Sequence, residues 1–228
     1  MKKLLSLFAA LILVSTFAAA QTSVTEGLKV GVNLDKFGGT GATVSNFMPQ
    51  VVGGGFMEIR LHGNLAFQIE LLYSVKGMDG TINYVNLYSQ QNAAAIVTVN
   101  QKPTAGQFNV VGTQSLKYLD VPVLIKYYLP VYLPAGMDIC IYGGPVESIL
   151  LSAKGDGKVN GQTATVDNAQ AFASFDLAGT VGATVRVPLF GVKCLVDARY
   201  AIGTFSVDKD AALKIYNRDL TVMAGVEF

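Results

Sequence analysis

Between Leu65 and Lys76 the sequence reads Leu-Ala-Phe-Gln-Ile-Glu-Leu-Leu-Tyr-Ser-Val-Lys, and its side chains sort by parity. Leu65, Phe67, Ile69, Leu71, Tyr73 and Val75 share one parity, while Ala66, Gln68, Glu70, Leu72, Ser74 and Lys76 share the other. An extended chain sends alternate residues to opposite faces, so this stretch predicts a strand with one large apolar face and one mostly polar face. Its length suits the roughly 9 to 11 residues that a tilted strand needs to cross a hydrocarbon layer. A chain organised around such a strand must set its apolar face on a dry core or on lipid.

The same alternation recurs along the chain. Leu28, Val30, Val32 and Leu34 oppose Lys29, Gly31, Asn33 and Asp35; Met57, Ile59 and Leu61 oppose Phe56, Glu58 and Arg60. Val121, Val123, Ile125 and Tyr127 oppose Asp120, Pro122, Leu124 and Lys126, and a further strand starts at Asp138 with Ile139 and Ile141 opposite Cys140. Its parity is lost at Gly143-Gly144-Pro145, which predicts a bulge or bend there. Phe175 to Val187, Val192 to Ile202 and Leu220 to Phe228 complete the set, giving eight strands with the Leu65 one. Between them, Lys36 to Gln50, Gly77 to Ser115 and Ser152 to Gln170 read as long loops rich in Gly, Asn, Ser and Thr, the last with a tight turn at Asn160-Gly161. Short turns at His62-Gly63-Asn64 and at Pro188 to Gly191 alternate with these loops.

The opening Met1-Lys2-Lys3, the apolar run Leu4 to Phe17 and Ala18-Ala19-Ala20 match the three zones of a secretory signal peptide. Residues 1–20 are therefore expected to direct export, leaving 21–228 as a single barrel domain, and no Cys follows the site for lipid attachment. Without Lys2 and Lys3 the formal charge of +1 falls by two to −1, which offers no basic field for nucleic acid. Charged residues make up 14 % of the chain, against about 25 % in soluble proteins. Mean hydropathy is +0.41, yet no long apolar run follows the signal segment.

These features fit an all-β, eight-stranded antiparallel up-and-down transmembrane barrel of the outer-membrane type. Such barrels have an even strand number, short periplasmic turns and long external loops. The apolar face is continuous on every strand, and Tyr73, Tyr127, Tyr200 and Phe228 stand near strand ends as interfacial aromatics do. A soluble exported barrel holding a small apolar ligand would turn the same faces inward. With no Trp in the chain, the Gly-x-Trp start of a lipocalin is absent.

Particular motifs resemble the outer-membrane β-barrel domain proteins of the PorT-like kind. They are Gly27-Leu28-Lys29-Val30-Gly31-Val32-Asn33, the run Leu116 to Tyr127, Gly143-Gly144-Pro145 with Leu150-Leu151-Ser152-Ala153-Lys154, Ala198-Arg199-Tyr200, and the aromatic Phe228. The resemblance implies insertion into bacterial outer-membrane lipid by the barrel-assembly machinery, with Phe228 as the terminal recognition residue. It implies no catalytic site, and a role in protein secretion holds for some members of the family.

Chemistry-bearing residues point the same way. The single His, His62, falls in a short turn, away from the long loops where a rim enzyme would need its base. No enzyme activity, cofactor or metal is expected. Cys140 and Cys194 fall on opposite faces of strands separated by another strand, and a disulfide needs Cα atoms within about 7 Å, so no bridge is expected. In this register Glu58, Arg60, Glu70, Lys76, Lys126, Asp176, Arg186, Lys193, Asp197, Arg199, Asp219 and Glu227 face the lumen. The interior of an eight-stranded barrel is just wide enough for side chains to fill, and buried charges must be paired. The expectation is a structural network centred on Glu58, Arg60, Glu70, Lys126, Asp176, Arg186, Asp197 and Arg199. Function then falls to the external loops and an extracellular or periplasmic protein partner, the alternative being a narrow pore or a transport or secretion accessory.

Overall fold

The computed structural model describes residues 23–39, 42–83, 109–159, 162–167, 169, 172–189, 191–207 and 215–228. The segment read as a signal peptide lies outside the described residues. The strands are β1 (Val24–Gly38), β2 (Ala42–Asn46), β3 (Met48–Arg60), β4 (Leu65–Asn83), β5 (Asn109–Tyr128), β6 (Asp138–Val159), β7 (Gln162–Asp167), β8 (Phe175–Leu189), β9 (Val192–Gly203) and β10 (Tyr216–Glu227). They form one antiparallel sheet in which the eight strands other than β2 and β7 lie side by side in chain order. Eight strands make the wall. Of the other two, β2 continues the line of β3 along β4, and β7 continues the line of β8 along β6.

Closure comes from the first and last strands, which pair from Gly27↔Glu227 to Gly38↔Tyr216. The β4–β5 seam joins the two halves from Leu65↔Tyr127 to Asn83↔Asn109. With every wall strand paired on both sides, no row of backbone N–H and C=O groups is left for lipid to meet.

Parity decides what each face carries, because a register slip of one residue would exchange the faces. Outward-facing residues form an apolar band: Val30 is 67 % exposed, Val181 64 %, Leu71 56 % and Val196 55 %. On the inside, Lys29, Glu58, Glu70, Asp176, Arg186 and Asp197 are buried. Outward charge lies toward the band's edges, with Glu26 near the lower rim, Glu147 toward the upper end, and Lys117 and Arg218 beyond it. Cys140 is buried inside on β6 and Cys194 faces outward on β9, both as free thiols.

Two sequence-based expectations change. No bulge occurs at Gly143-Gly144-Pro145, where β6 keeps one register with β8 through Gly143↔Val181, Gly144↔Thr180 and Pro145↔Gly179. The irregularity lies further on, where Tyr118 pairs Leu150 but Lys117 pairs Ser152, so that Leu151 is the extra residue. Its effect is to switch the inward parity of β6 from Ser148 to Ala153, both fully buried. The long loops also shrink. Gly77 to Asn83 and Asn109 to Ser115 are ladder, most of Lys36 to Gln50 lies in β1, β2 and β3, and much of Ser152 to Gln170 is the β6–β7 hairpin. Strand extensions beyond the hydrocarbon need no apolar face, so the alternation fades while pairing continues. Val159 pairs Gln162 across Asn160-Gly161, which themselves lie outside the described residues.

Glycine is required where neighbouring backbones approach closely. A Cβ on Gly54 of β3 would stand 2.0 Å from the Leu71 carbonyl oxygen, and one on Gly144 of β6 would stand 2.0 Å from that of Val123. Both obstacles are backbone, so no side chain can move to relieve them. Gly144→Val is expected to destabilise the barrel by about 3 kcal/mol or more, at the upper end of overpacking costs, read as a lower urea midpoint of the folded, heat-modifiable gel band. Val196→Ala on the lipid face should leave that band intact.

Candidate functional site

The inward faces stack the luminal side chains in tiers. The lowest tier lies at the end carrying the short β3–β4 and β8–β9 connections. Glu58 of β3 sits 2.8 Å from Lys126 Nζ of β5 and 3.6 Å from Arg186 of β8, and accepts a hydrogen bond from the Tyr128 hydroxyl. Arg186 also reaches Glu227 of β10 at 2.7 Å and Asp138 of β6 at 2.8 Å. Arg60 joins from the rim, 3.2 Å from Glu58 and with its guanidinium 3.3 Å from the centre of the Tyr128 ring. Three cations, Lys126, Arg186 and Arg60, thus meet three carboxylates, Glu58, Glu227 and Asp138.

The middle tier is drier. Glu70 of β4 receives Lys29 of β1 at 2.6 Å and two Arg199 nitrogens from β9, at 2.8 and 3.1 Å. Asp197 accepts from Arg199 at 3.0 Å, from the Tyr142 hydroxyl at 2.8 Å and from Thr184 at 2.9 Å, with Lys29 3.6 Å away. Gln68 bridges the two tiers, donating to Glu70 and accepting from Lys126. Two cations balance two carboxylates here, as a buried ionic group requires if it is not to be strongly destabilising.

Above lie Asn33, Ser74 and Thr221, linked by hydrogen bonds of 2.7 and 2.8 Å, with Val52, Leu72 and Met223 packed beside them. The upper tier follows: Lys76 of β4 lies 3.1 Å from Asp120, 3.4 Å from Asp219 and 3.2 Å from the Ser148 hydroxyl. Asp176 accepts from Asn217 at 2.8 Å. Over this tier Leu116, Tyr118, Ala153, Phe172, Val207 and Ile215 pack as an apolar cover. Residues of the outer connections reach into it through Ala173 N–H to Val207 O and Val207 N–H to Ile215 O, both 2.8 Å.

Of the residues singled out from sequence, Glu58, Glu70, Lys126, Arg186, Asp197 and Arg199 come together in the two lower tiers, and Asp176 stands in the upper one. Arg60 is a rim residue, its side chain 31 % exposed, and Lys193 is exposed at the same end. Phe228 is 73 % exposed and its N–H donates to Glu26 O at 3.0 Å, beside the β1–β10 seam. The sequence-based luminal set omitted Lys29, Asn33, Asp35 and Asp120, although their parity already placed them on polar faces. It also omitted Gln68, Tyr128 and Tyr142. Those two tyrosines have the inward parity of Lys126 and Cys140, and that was the available signal.

A strand-paired wall, an outward apolar band and an ion-paired interior define a membrane-spanning β-barrel of the outer-membrane type with a filled lumen. The chain belongs to the outer membrane protein beta-barrel domain family, whose sequence model matches residues 19–208. Among solved structures, Neisserial surface protein A is similar at 10 % identity, covering 91 % of this chain and 99 % of that one, with a TM-score of 0.43. Ail, the attachment invasion locus protein of Yersinia pestis, is similar at 10 % identity, with 90 % and 98 % coverage and a TM-score of 0.42. OprG from Pseudomonas aeruginosa is similar at 11 % identity, with 91 % and 95 % coverage and a TM-score of 0.39. No curated protein matches.

Removing one partner from the middle tier strands the others without water. Glu70→Ala is expected to cost about 3 to 5 kcal/mol, the range for breaking a buried ion pair, whereas Arg60→Ala at the wetter rim should cost about 1 kcal/mol. Urea unfolding in detergent micelles, followed by β-sheet circular dichroism, compares the two.

Proposed function

We propose that this outer-membrane barrel is a rigid, plugged scaffold, with a structural or interaction role exercised through its extracellular strand extensions and loops. The observation that supports this reading is the occupied lumen. Paired charges fill the lower and middle tiers, and apolar side chains cover the outer mouth. Between the middle and upper tiers a cavity of about 30 Å³, lined by Lys76, Asp120, Arg199 and Asp219 among others, has room for one or two waters. That is too small for a solute path. The partners under this reading are outer-membrane lipid around the band, the barrel-assembly machinery and a protein met at one of the two surfaces.

The extracellular side suits recognition because loops held by a rigid wall carry most binding. The β4–β5 extension projects pairs as far as Asn83↔Asn109, and the residues it presents at 84–108 lie outside the described residues. A non-catalytic reading is supported by His62, the only His in the chain, which sits in an exposed turn at the opposite end.

The PorT-like motifs favour a second reading, a narrow pore or secretion accessory. Planar-bilayer recording separates the two. Purified protein is expected to give no large, steady conductance. Steady conductance from the unmodified protein would favour the pore.

A further inference from the structure

The upper tier differs from the two beneath it in charge. Asp35 on β1 and Asp219 on β10 are direct register partners, both inward and 1 % and 4 % exposed. Neither oxygen of Asp35, nor Oδ1 of Asp219, has a hydrogen-bond partner among the described residues. As direct cross-strand partners on the inner face, the two carboxyls project side by side into the lumen.

Among the described residues, the elements around them supply little positive charge. β4 contributes Lys76, which is already engaged by Asp120 and Asp219. β5 contributes Asp120 and Tyr118, β8 contributes Asp176, and β10 adds Asn217, which donates to Asp176. The strand residues nearest from β6, β9 and β3 are neutral: Ser148, Ala201 and Met48. Arg199 lines the cavity below, but it is bound to Glu70 and Asp197. Among the described residues, the four carboxyl groups Asp35, Asp120, Asp176 and Asp219 therefore have the Lys76 ammonium as their one nearby cation not held by a lower tier, and it pairs directly with Asp120 and Asp219. No group of three or more His, Cys, Asp or Glu among the described residues is placed to hold a metal ion. Facing carboxylates beside a cavity with room for only one or two waters strongly disfavour each other's ionisation, and a proton shared between them relieves this.

We propose that Asp35 and Asp219 bind one proton between them at neutral pH, as a carboxylic acid–carboxylate pair beneath the outer mouth of the barrel. The proton belongs to the pair, one carboxyl donating to the other. The folded barrel then holds a proton that the unfolded chain has released, so its stability falls as pH rises. Loss of the proton adds negative charge under the apolar cover, whose Tyr118 ring lies 5.1 Å from Lys76 Nζ. Alkaline pH should loosen that cover before the lower tiers.

Infrared spectroscopy of the full-length protein in micelles, with isotope-labelled aspartate carboxyls, tests this. At neutral pH the folded protein should show an aspartic-acid C=O band that disappears in Asp35→Asn and in Asp219→Asn. The alkaline fall in urea midpoint should flatten in either variant. Absence of an acid band from the folded unmodified protein would overturn the proposal, and so would a band that survives in both variants. The unmodified protein alone supplies the first readout, so a variant that failed to fold would not remove the test.

Discussion

Hydrocarbon offers no hydrogen-bond partner, and that single condition shapes this chain from its first strand to its last. Each wall strand must be paired on both sides, which the β1–β10 seam achieves by bringing Gly27 opposite Glu227 and Gly38 opposite Tyr216. Once the sheet is closed, period-two alternation has one consistent solution, with Val30, Leu71, Val181 and Val196 outside and Lys29, Glu70 and Asp197 inside. The reverse arrangement would put ammonium and carboxylate groups into lipid. The close strand approaches that require Gly54 and Gly144 follow from rolling eight strands into a narrow cylinder.

The interior meets its own version of the same condition. Too narrow for bulk water, it must neutralise its charges with one another. The lower and middle tiers do so with equal numbers of cations and carboxylates and with tyrosine, threonine and glutamine donors on several of the carboxylate oxygens. The upper tier keeps an excess of carboxyl groups directly beneath an apolar cover. Under the proposed scaffold role, a lumen filled in this way would make a stiff post and leave recognition to the strand extensions and loops above.

Much of this fold was legible in the sequence because parity reports directly on which face a residue takes. Leu65 to Lys76 announced its two faces, and every wall strand was found. Strand ends were less legible. Gly77 to Asn83 pairs with Asn109 to Ser115 although no apolar alternation in their sequences marks the ladder. The bulge at Leu151 was hidden by its apolar neighbour Leu150, which let one parity pass into the other without a polar residue to mark the switch. The luminal charges could be named from parity, but their partners could not. Arg199 meets Glu70 from 129 residues away, and only the order and stagger of the strands decide that meeting.

Because the chain contains no Trp, a single introduced Trp reports its surroundings against a clean background, and lipid quenching of that residue tests the inside-out arrangement most directly. Val196→Trp on the outer face of β9 and Thr180→Trp on the inner face of β8 would be compared in vesicles with and without bromine-labelled acyl chains. The account predicts strong quenching at 196 and little at 180. Unquenched emission at 196 in folded, vesicle-reconstituted protein would contradict it, because the apolar band would then not be the surface that meets lipid.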